Sequence, residues 1–313
     1  MDYYQNNRAR IAVVLAHFNG SRWLDLQLQS IQNQTHKFID VYIFDDCSRK
    51  IEVNSCKEIA SKYPVVKKIF QARLNQGFAR NFISGLQFVG DGYDYYAFSD
   101  QDDYWLPDKV SAAVRQLDAI SQQSKLYCSR TFYFCDETRV VTGSSPLFTK
   151  NPTFGNALVQ NIAGGNTMVF DGFLRSQLLK MDKVSDCISH DWMVYQLASG
   201  SGSTVIYDPQ PKIHYCQTGQ NLVGANNTLW SRSVRAIGLM NGKFRRWNDC
   251  QTNILYLNKN LLSVENVSLL ERFIEARTSN IISRCRFIFS KSVYRQTFLG
   301  NLGLILGFLV RHI

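Results

Sequence analysis

Residues 95–108 read Tyr95-Tyr96-Ala97-Phe98-Ser99-Asp100-Gln101-Asp102-Asp103-Tyr104-Trp105-Leu106-Pro107-Asp108. An aromatic and apolar run, the pattern of a buried strand, ends in three carboxylates within four positions. Carboxylates this close repel one another, so at neutral pH the cluster needs a cation or a solvent-rich loop. On an extended segment Asp100 and Asp102 face the same way. Both then reach one hard divalent cation, Mg²⁺ or Mn²⁺, that bridges two phosphates of a nucleotide. The plainer alternative is an acidic turn before a helix, with Pro107 in the first turn and Asp103 or Asp108 as the cap.

Upstream, strands and helices alternate. Ile11–Ala16, Val41–Phe44 and Val65–Phe70 read as strands, Trp23–Gln32, Val53–Lys62 and Gly77–Phe88 as helices. The pattern predicts an α/β fold with right-handed crossovers and a mostly parallel sheet covered on both faces. Ligands in such sheets sit at the carboxyl ends of the strands. Found there are His17, Phe18 and Asn19, then Asp45 and Asp46, then the Asp100 cluster. Downstream, a helix is expected to Ile120, strands at Leu126–Phe134, Asn166–Phe170 and Val205–Tyr207, and a helix over Ser189–Ala198. Thr142–Asn156, rich in Pro, Ser, Thr, Gly and Asn, reads as a loop over the site.

The chain has 313 residues, 45% hydrophobic and 19% charged, enough apolar material for a sizeable core. Its net charge of +10 is uneven: residues 231–313 hold 13 Lys/Arg against 4 Asp/Glu, the rest 22 against 21. A basic section attracts nucleic acid or an anionic membrane face; the acidic cluster argues against nucleic acid. The last apolar run, Phe298–Val310, is too short to span a bilayer. With Arg284, Arg286, Lys291 and Arg295 it either rests on anionic lipid or packs on the core as a helical cap. No secretory signal is visible, and eight cysteines without metal-type spacing are expected as reduced thiols.

Smaller motifs each carry two readings. One of Asp45 and Asp46 can accept from a base N–H or a ribose hydroxyl, while the other makes an Asx-turn. Asp191, in His190-Asp191-Trp192 at a helix start, is a general base or a first-turn residue. Gly164-Gly165-Asn166 lets backbone approach a ligand or makes a tight turn. Arg80, after the turn Asn75-Gln76-Gly77, meets a phosphate or is solvated. P-loop, dinucleotide and hydrolase-elbow patterns do not occur in this sequence.

Taken in order, "AHFNGSRWLDLQLQSIQNQT", "FDDCS", "NQGFARNF", "FSDQDDYWLPDK", "HDWMVYQLAS" and "YCQTGQNLVGA" resemble the landmarks of family 2 glycosyltransferases of the GT-A fold. The likeness is to the bacterial rhamnosyltransferase-like branch and covers about residues 10–226. It implies a GT-A catalytic domain at 1–228 and a basic helical region, membrane-associating or not, at 229–313. It gives Asp46 the nucleobase and Asp102 the metal and diphosphate, with Asp100 and Asp103 supporting. Ala16, Phe18, Arg80, Asp100, Gly165 and Asn166 join the donor site. Asp191 matches the catalytic base. The implied reaction is metal-dependent inverting transfer from a nucleotide-diphosphate sugar, with rhamnose on thymidine diphosphate favoured. The acceptor is a glycan hydroxyl, lipid-linked, at the inner face of the cytoplasmic membrane in surface-polysaccharide synthesis. Two departures stand out: Cys216 and Thr218 where relatives often carry Arg and His, and His17-Phe18 after Ala16. A weakly active or inactive nucleotide-sugar-binding protein of the same fold is the alternative.

Overall fold

The computed structural model describes residues 8–217 and 242–313. Its spine is a nine-stranded sheet in the order β3-β2-β1-β4-β8-β6-β9-β5, with β7 paired to β6. β1 (Ile11–His17), β2 (Ile39–Asp45), β3 (Val66–Gln71) and β4 (Tyr95–Ser99) run parallel. Between them lie α1 (Ser21–Gln32), α2 (Lys50–Ala60) and α3 (Phe78–Phe88). β1 and β4 are apolar almost throughout because helices cover both faces. Alternate residues serve two cores: Ala12 and Val14 pack with α3, Ile11, Val13 and Leu15 with α1. β3, at the edge, exposes Lys67 and Lys68, which blunts strand addition.

The second half is antiparallel where β8 (Val169–Asp171) joins β4 to β6 (Lys125–Cys135). β9 (Thr204–Gln217) then runs parallel to β6 and pairs antiparallel with β5 (Tyr104–Trp105). The α/β reading holds, with local corrections. Gln101 and Asp102 form a turn, so the carboxylates do not alternate along an extended segment. Asn166 lies in a 3₁₀ turn, Gly165–Thr167, ahead of the strand expected to contain it. Part of the expected loop at 142–156 is β7 (Val140–Ser144) and a one-turn helix, α5 (Phe154–Ala157). The helix expected from Pro107, α4 (Lys109–Asp118), starts two residues later. Asp108 makes no cap bond and pairs instead with Lys212 Nζ at 2.6 Å.

α6 (Gly172–Leu179) and α7 (His190–Ser201) complete the sheet's cover. The C-terminal part is α8 (Lys243–Leu257), α9 (Val264–Thr278), α10 (Ile281–Phe289) and α11 (Phe298–Leu309). Leu270, Phe273, Phe287, Phe308 and Ile313 of this part belong to the core that contains α7. None of the eight cysteines forms a disulfide. Thr218, the "QNLVGA" segment and the expected boundary near residue 228 lie outside the described residues.

Candidate active site

The ends of β1 and β2 are tied together by a buried network. His17 Nδ1 lies 2.8 Å from Asp45 Oδ1, and Ser21 Oγ is 3.3 Å from His17 Nε2. Burial alone would push the Asp45 carboxyl up. Hydrogen bonds from His17 and Ser48 outweigh it and hold the group below the usual carboxylate range. Asp46, also buried, accepts from the backbone N–H of Gln76 on Oδ1 and of Gly77 on Oδ2, each at 2.8 Å. Each oxygen keeps one further acceptor site for a ligand donor. Gly77 sits at φ 82°, the left-handed region that glycine enters without strain.

Ala16, the last but one residue of β1, is half-buried, and the Phe18 ring just past the strand is 46% exposed, open to stack on a planar base. The Phe18 backbone is held from the carboxylate turn. Gln101 Oε1 accepts from Phe18 N at 2.8 Å, and Gln101 Nε2 donates to Phe18 O at 3.2 Å. A Cβ at Gly20 would run into that same Gln101 amide, so Gly20 leaves the space the amide fills. Sequence reading gave Gln101 no role; its partner is 83 positions away.

The acidic turn and the α7 N-terminus meet at β4. Burial, then the charges of Asp102 and Asp191, push the Asp100 carboxyl up to about 7. Asp102 is raised by burial and by Asp136. Asp103 is raised by burial and by Asp100 and Asp102, while the Asn166 amide opposes the rise. Asn166 Nδ2 donates to Asp103 Oδ2 at 2.5 Å; Asp103 Oδ1 is buried without a partner of hydrogen-bond geometry.

Asp191 is positioned by three donors: Gly165 N to Oδ2 at 3.1 Å, Trp192 N to Oδ1 at 2.7 Å, and Ser189 Oγ to Oδ1. A Cβ on Gly165 would lie 2.6 Å from His190 Nε2, so only glycine lets this loop reach α7. Gly165 and Asn166 therefore each hold one carboxylate in place. Arg80 is engaged elsewhere: Nη2 donates to Asp186 Oδ1 at 2.7 Å and Nε to Ser185 O.

Lys109 is a further member that the sequence left unweighed. It is fully buried, its Nζ has no hydrogen-bond partner, and it sits 3.4 Å from the Trp105 ring centroid. Burial lowers the ammonium to about 7, and Asp103 opposes that shift. Beside the turn a cleft of about 230 Å³ is lined by Asp102, Asp103, Tyr104, Phe134, His214 and Cys216, among others. Burial, with Asp103 and Asp102 nearby, pushes the Cys216 thiol up to about 12. It stays protonated at neutral pH and does not do the work of an arginine. His214 stacks between Tyr104 and Phe134, centroids 5.9 and 5.1 Å away.

The model of the family described as glycosyl transferase family 2 matches residues 12–193, more than half the chain. The chain belongs to that family. This glycosyltransferase is 28% identical over 240 residues to the dTDP-rhamnosyl transferase RfbG of Shigella flexneri, covering 74% of this chain and 81% of that one. It is 25% identical over 154 residues to a UDP-Glc:alpha-D-GlcNAc-diphosphoundecaprenol beta-1,3-glucosyltransferase, WfaP, of Escherichia coli, covering 44% and 51%. Among solved structures it is similar to the mannosyltransferase PcManGT of Pyrobaculum calidifontis in complex with GDP-Man and Mn²⁺. There the TM-score is 0.53 at 13% identity, covering 97% of this chain and 86% of that one. S. aureus TarS in complex with UDP-GlcNAc gives 0.50 at 13%, covering 97% and 90%. At such identity the two structures establish the fold. The GT-A expectation is met.

Proposed function

We propose that this glycosyltransferase is metal-dependent and inverting, and moves a sugar from a nucleotide-diphosphate donor to a hydroxyl of a lipid-linked glycan. The observation that carries the reading is the Gly165–Asn166 turn, which holds Asp191 through the Gly165 N–H and Asp103 through the Asn166 amide and so sets a base beside the acidic turn. One side supplies oxygen ligands and the other a positioned base. Rhamnose is the sugar favoured by the likeness to RfbG. A diphosphoundecaprenol-linked acceptor is supported by the likeness to WfaP, and with such an acceptor the reaction would run at the inner face of the cytoplasmic membrane.

The residues fit a hard divalent cation. Three crowded carboxyls are raised by burial and mutual charge, and a buried Asp103 oxygen lacks a partner. Among the described residues no three His, Cys, Asp or Glu side chains form a closed metal cage. Mg²⁺ and Mn²⁺ sites that use one or two carboxylates plus substrate phosphates need none. Asp102, with Asp100 and Asp103 behind it, would hold the ion, whose charge when bound offsets the negative charge building on the diphosphate.

The chain's own groups do the rest. Asp46 and the Phe18 ring bind the base side of the donor. Asp191, its lone pairs aimed by Gly165 N, Trp192 N and Ser189 Oγ, takes the proton from the acceptor hydroxyl. The acceptor oxygen bonds to the anomeric carbon as the bond to the diphosphate breaks on the opposite face, so the configuration inverts.

A panel of nucleotide sugars with a lipid-diphosphate-linked glycan, with Mn²⁺ or with chelator, tests this. Asp191→Asn should bind donor normally and lose transfer by roughly 10²–10⁴-fold. Asp102→Asn should lose metal-dependent donor binding, and transfer by Asp102→Asn at the normal rate would overturn the metal assignment. The Cys216 thiol favours one second reading, a nucleotide-sugar-binding protein without turnover. Metal-dependent binding with no product from any donor would select it.

A further inference from the structure

The C-terminal helices leave an apolar face uncovered, although they pack on the core. On α11 the core takes Leu304, Gly307 and Phe308, while Leu299, Leu302, Leu306 and Val310 are 46–71% exposed along the opposite side. On α10 the core takes Phe287 and Ile288, and Ile282 and Phe289 are 69% and 68% exposed. Spacings of three, four and seven put each set on one helix face. The helices pack together, Arg284 Nη1 donating to the last-turn carbonyls of Phe308 and Leu309 at 2.9 and 3.0 Å. The two apolar faces therefore belong to one helical pair.

Charge selects the occupant. From Ala276 to Ile313 there are six Lys/Arg and no Asp or Glu; Arg277 and Arg284 are buried, which leaves Arg286, Lys291, Arg295 and Arg311 nearer the surface. Arg286 is exposed one turn after Ile282 and three residues before Phe289, and so lies within the α10 face; Lys291 and Arg311 are exposed at the borders. A second copy of the chain would bring like charge against like charge here. An anionic bilayer offers acyl chains to the leucines and phosphates to the arginines. Among the described residues no helix is long and apolar enough to cross a membrane, so a bilayer contact through this pair would be one at the surface.

We infer that the α10–α11 face is a docking surface for an anionic lipid bilayer, with Leu302 and Leu306 entering the acyl boundary and Arg286 meeting the headgroup phosphates. The expectation that this region either meets lipid or packs on the core becomes a division by face. The inference goes beyond the transfer reaction, and its test needs neither donor nor acceptor, so either can fail while the other stands.

Full-length protein is sedimented with vesicles of phosphatidylcholine alone and of phosphatidylcholine with phosphatidylglycerol. The expected result is binding to the second only, weakened by salt. Arg286→Gln should lower partitioning about fivefold, the factor for one lost charge near the surface. Leu302→Glu with Leu306→Glu should abolish it while the melting temperature stays within a few degrees. If that double variant misfolds, Lys291→Gln gives the same charge test at an exposed site. No binding to anionic vesicles, or equal binding by wild type and the charge variants, overturns the inference. So does a dimer in sedimentation velocity that Leu302→Glu disperses, because the face then belongs to a second copy.

Discussion

His190 shows how one side chain is fitted to its place beside the proposed base. Its ring stacks on Phe82 at 4.1 Å and meets Phe98 edge-on at 4.7 Å, and neither nitrogen has a hydrogen-bond partner. Burial lowers its pKa to about 4, with Asp191 opposing. A histidine whose folded pKa lies below its unfolded value of 6.5 costs stability as pH falls, because only the unfolded chain takes up the proton. The loss begins near pH 6.5 and is complete near pH 4, about 3 kcal/mol for a shift of this size. His190→Leu should keep the packing and remove that acid loss, leaving the opposite slope of the raised Asp100 carboxyl, measured by denaturant melts at several pH values. A variant whose acid slope matched the wild type would show that His190 is not the group responsible. Neighbouring Gly165 should be as intolerant: Gly165→Ala drives a methyl into the His190 ring and should lower the melting temperature and transfer together.

Among the elements, β1, β2 and β4 were legible because strands buried on both faces are written as continuous apolar runs, and the acidic turn stood out against the last of them. β9 was seen as three residues although it spans fourteen, because Asp208, Pro209, Pro211 and Lys212 interrupt the apolar pattern. β5 has two residues and exists only through pairing with β9. The carboxylates of the site were named from sequence, whereas the groups that aim them were not. Gln101 and the close approach at Gly165 depend on partners 83 and 25 positions distant, which no local pattern carries, and the burial of Lys109 shows only once the chain is folded. Gln101 yields a prediction at this scale, since its amide joins the carboxylate turn to the β1–α1 loop that carries Phe18. Gln101→Ala should raise the donor KM roughly five- to tenfold, the factor for about 1 kcal/mol of net hydrogen bonding, and change kcat less. An unchanged donor KM would mean that the two halves of the donor site are held together by other contacts.

Across the whole molecule, the basic section is not an appendage to a finished catalytic domain. Phe287, Ile288, Val293, Leu304, Phe308 and Ile313 are buried in the same core as Met193, Val194 and Leu197 of α7, the helix that presents Asp191. Gln296 and Lys150 exchange hydrogen bonds, and Asn156 Nδ2 donates to the carbonyl of Tyr294, so the C-terminal part also clamps the segment around α5. Truncation is for that reason a poor test of membrane docking. Each core side chain removed costs about 2–5 kcal/mol, and six of them together, about 12–30 kcal/mol, match or exceed the 5–15 kcal/mol that holds a typical domain folded. Deleting residues 284–313 should give an aggregating chain with no cooperative melt and no donor binding, whatever the role of the exposed face. A truncated protein that melted within a few degrees of the full chain would show that the α7 core closes without these helices. Point substitutions at Leu302, Leu306 and Arg286 leave that core intact, and only with them can loss of vesicle binding be assigned to the surface.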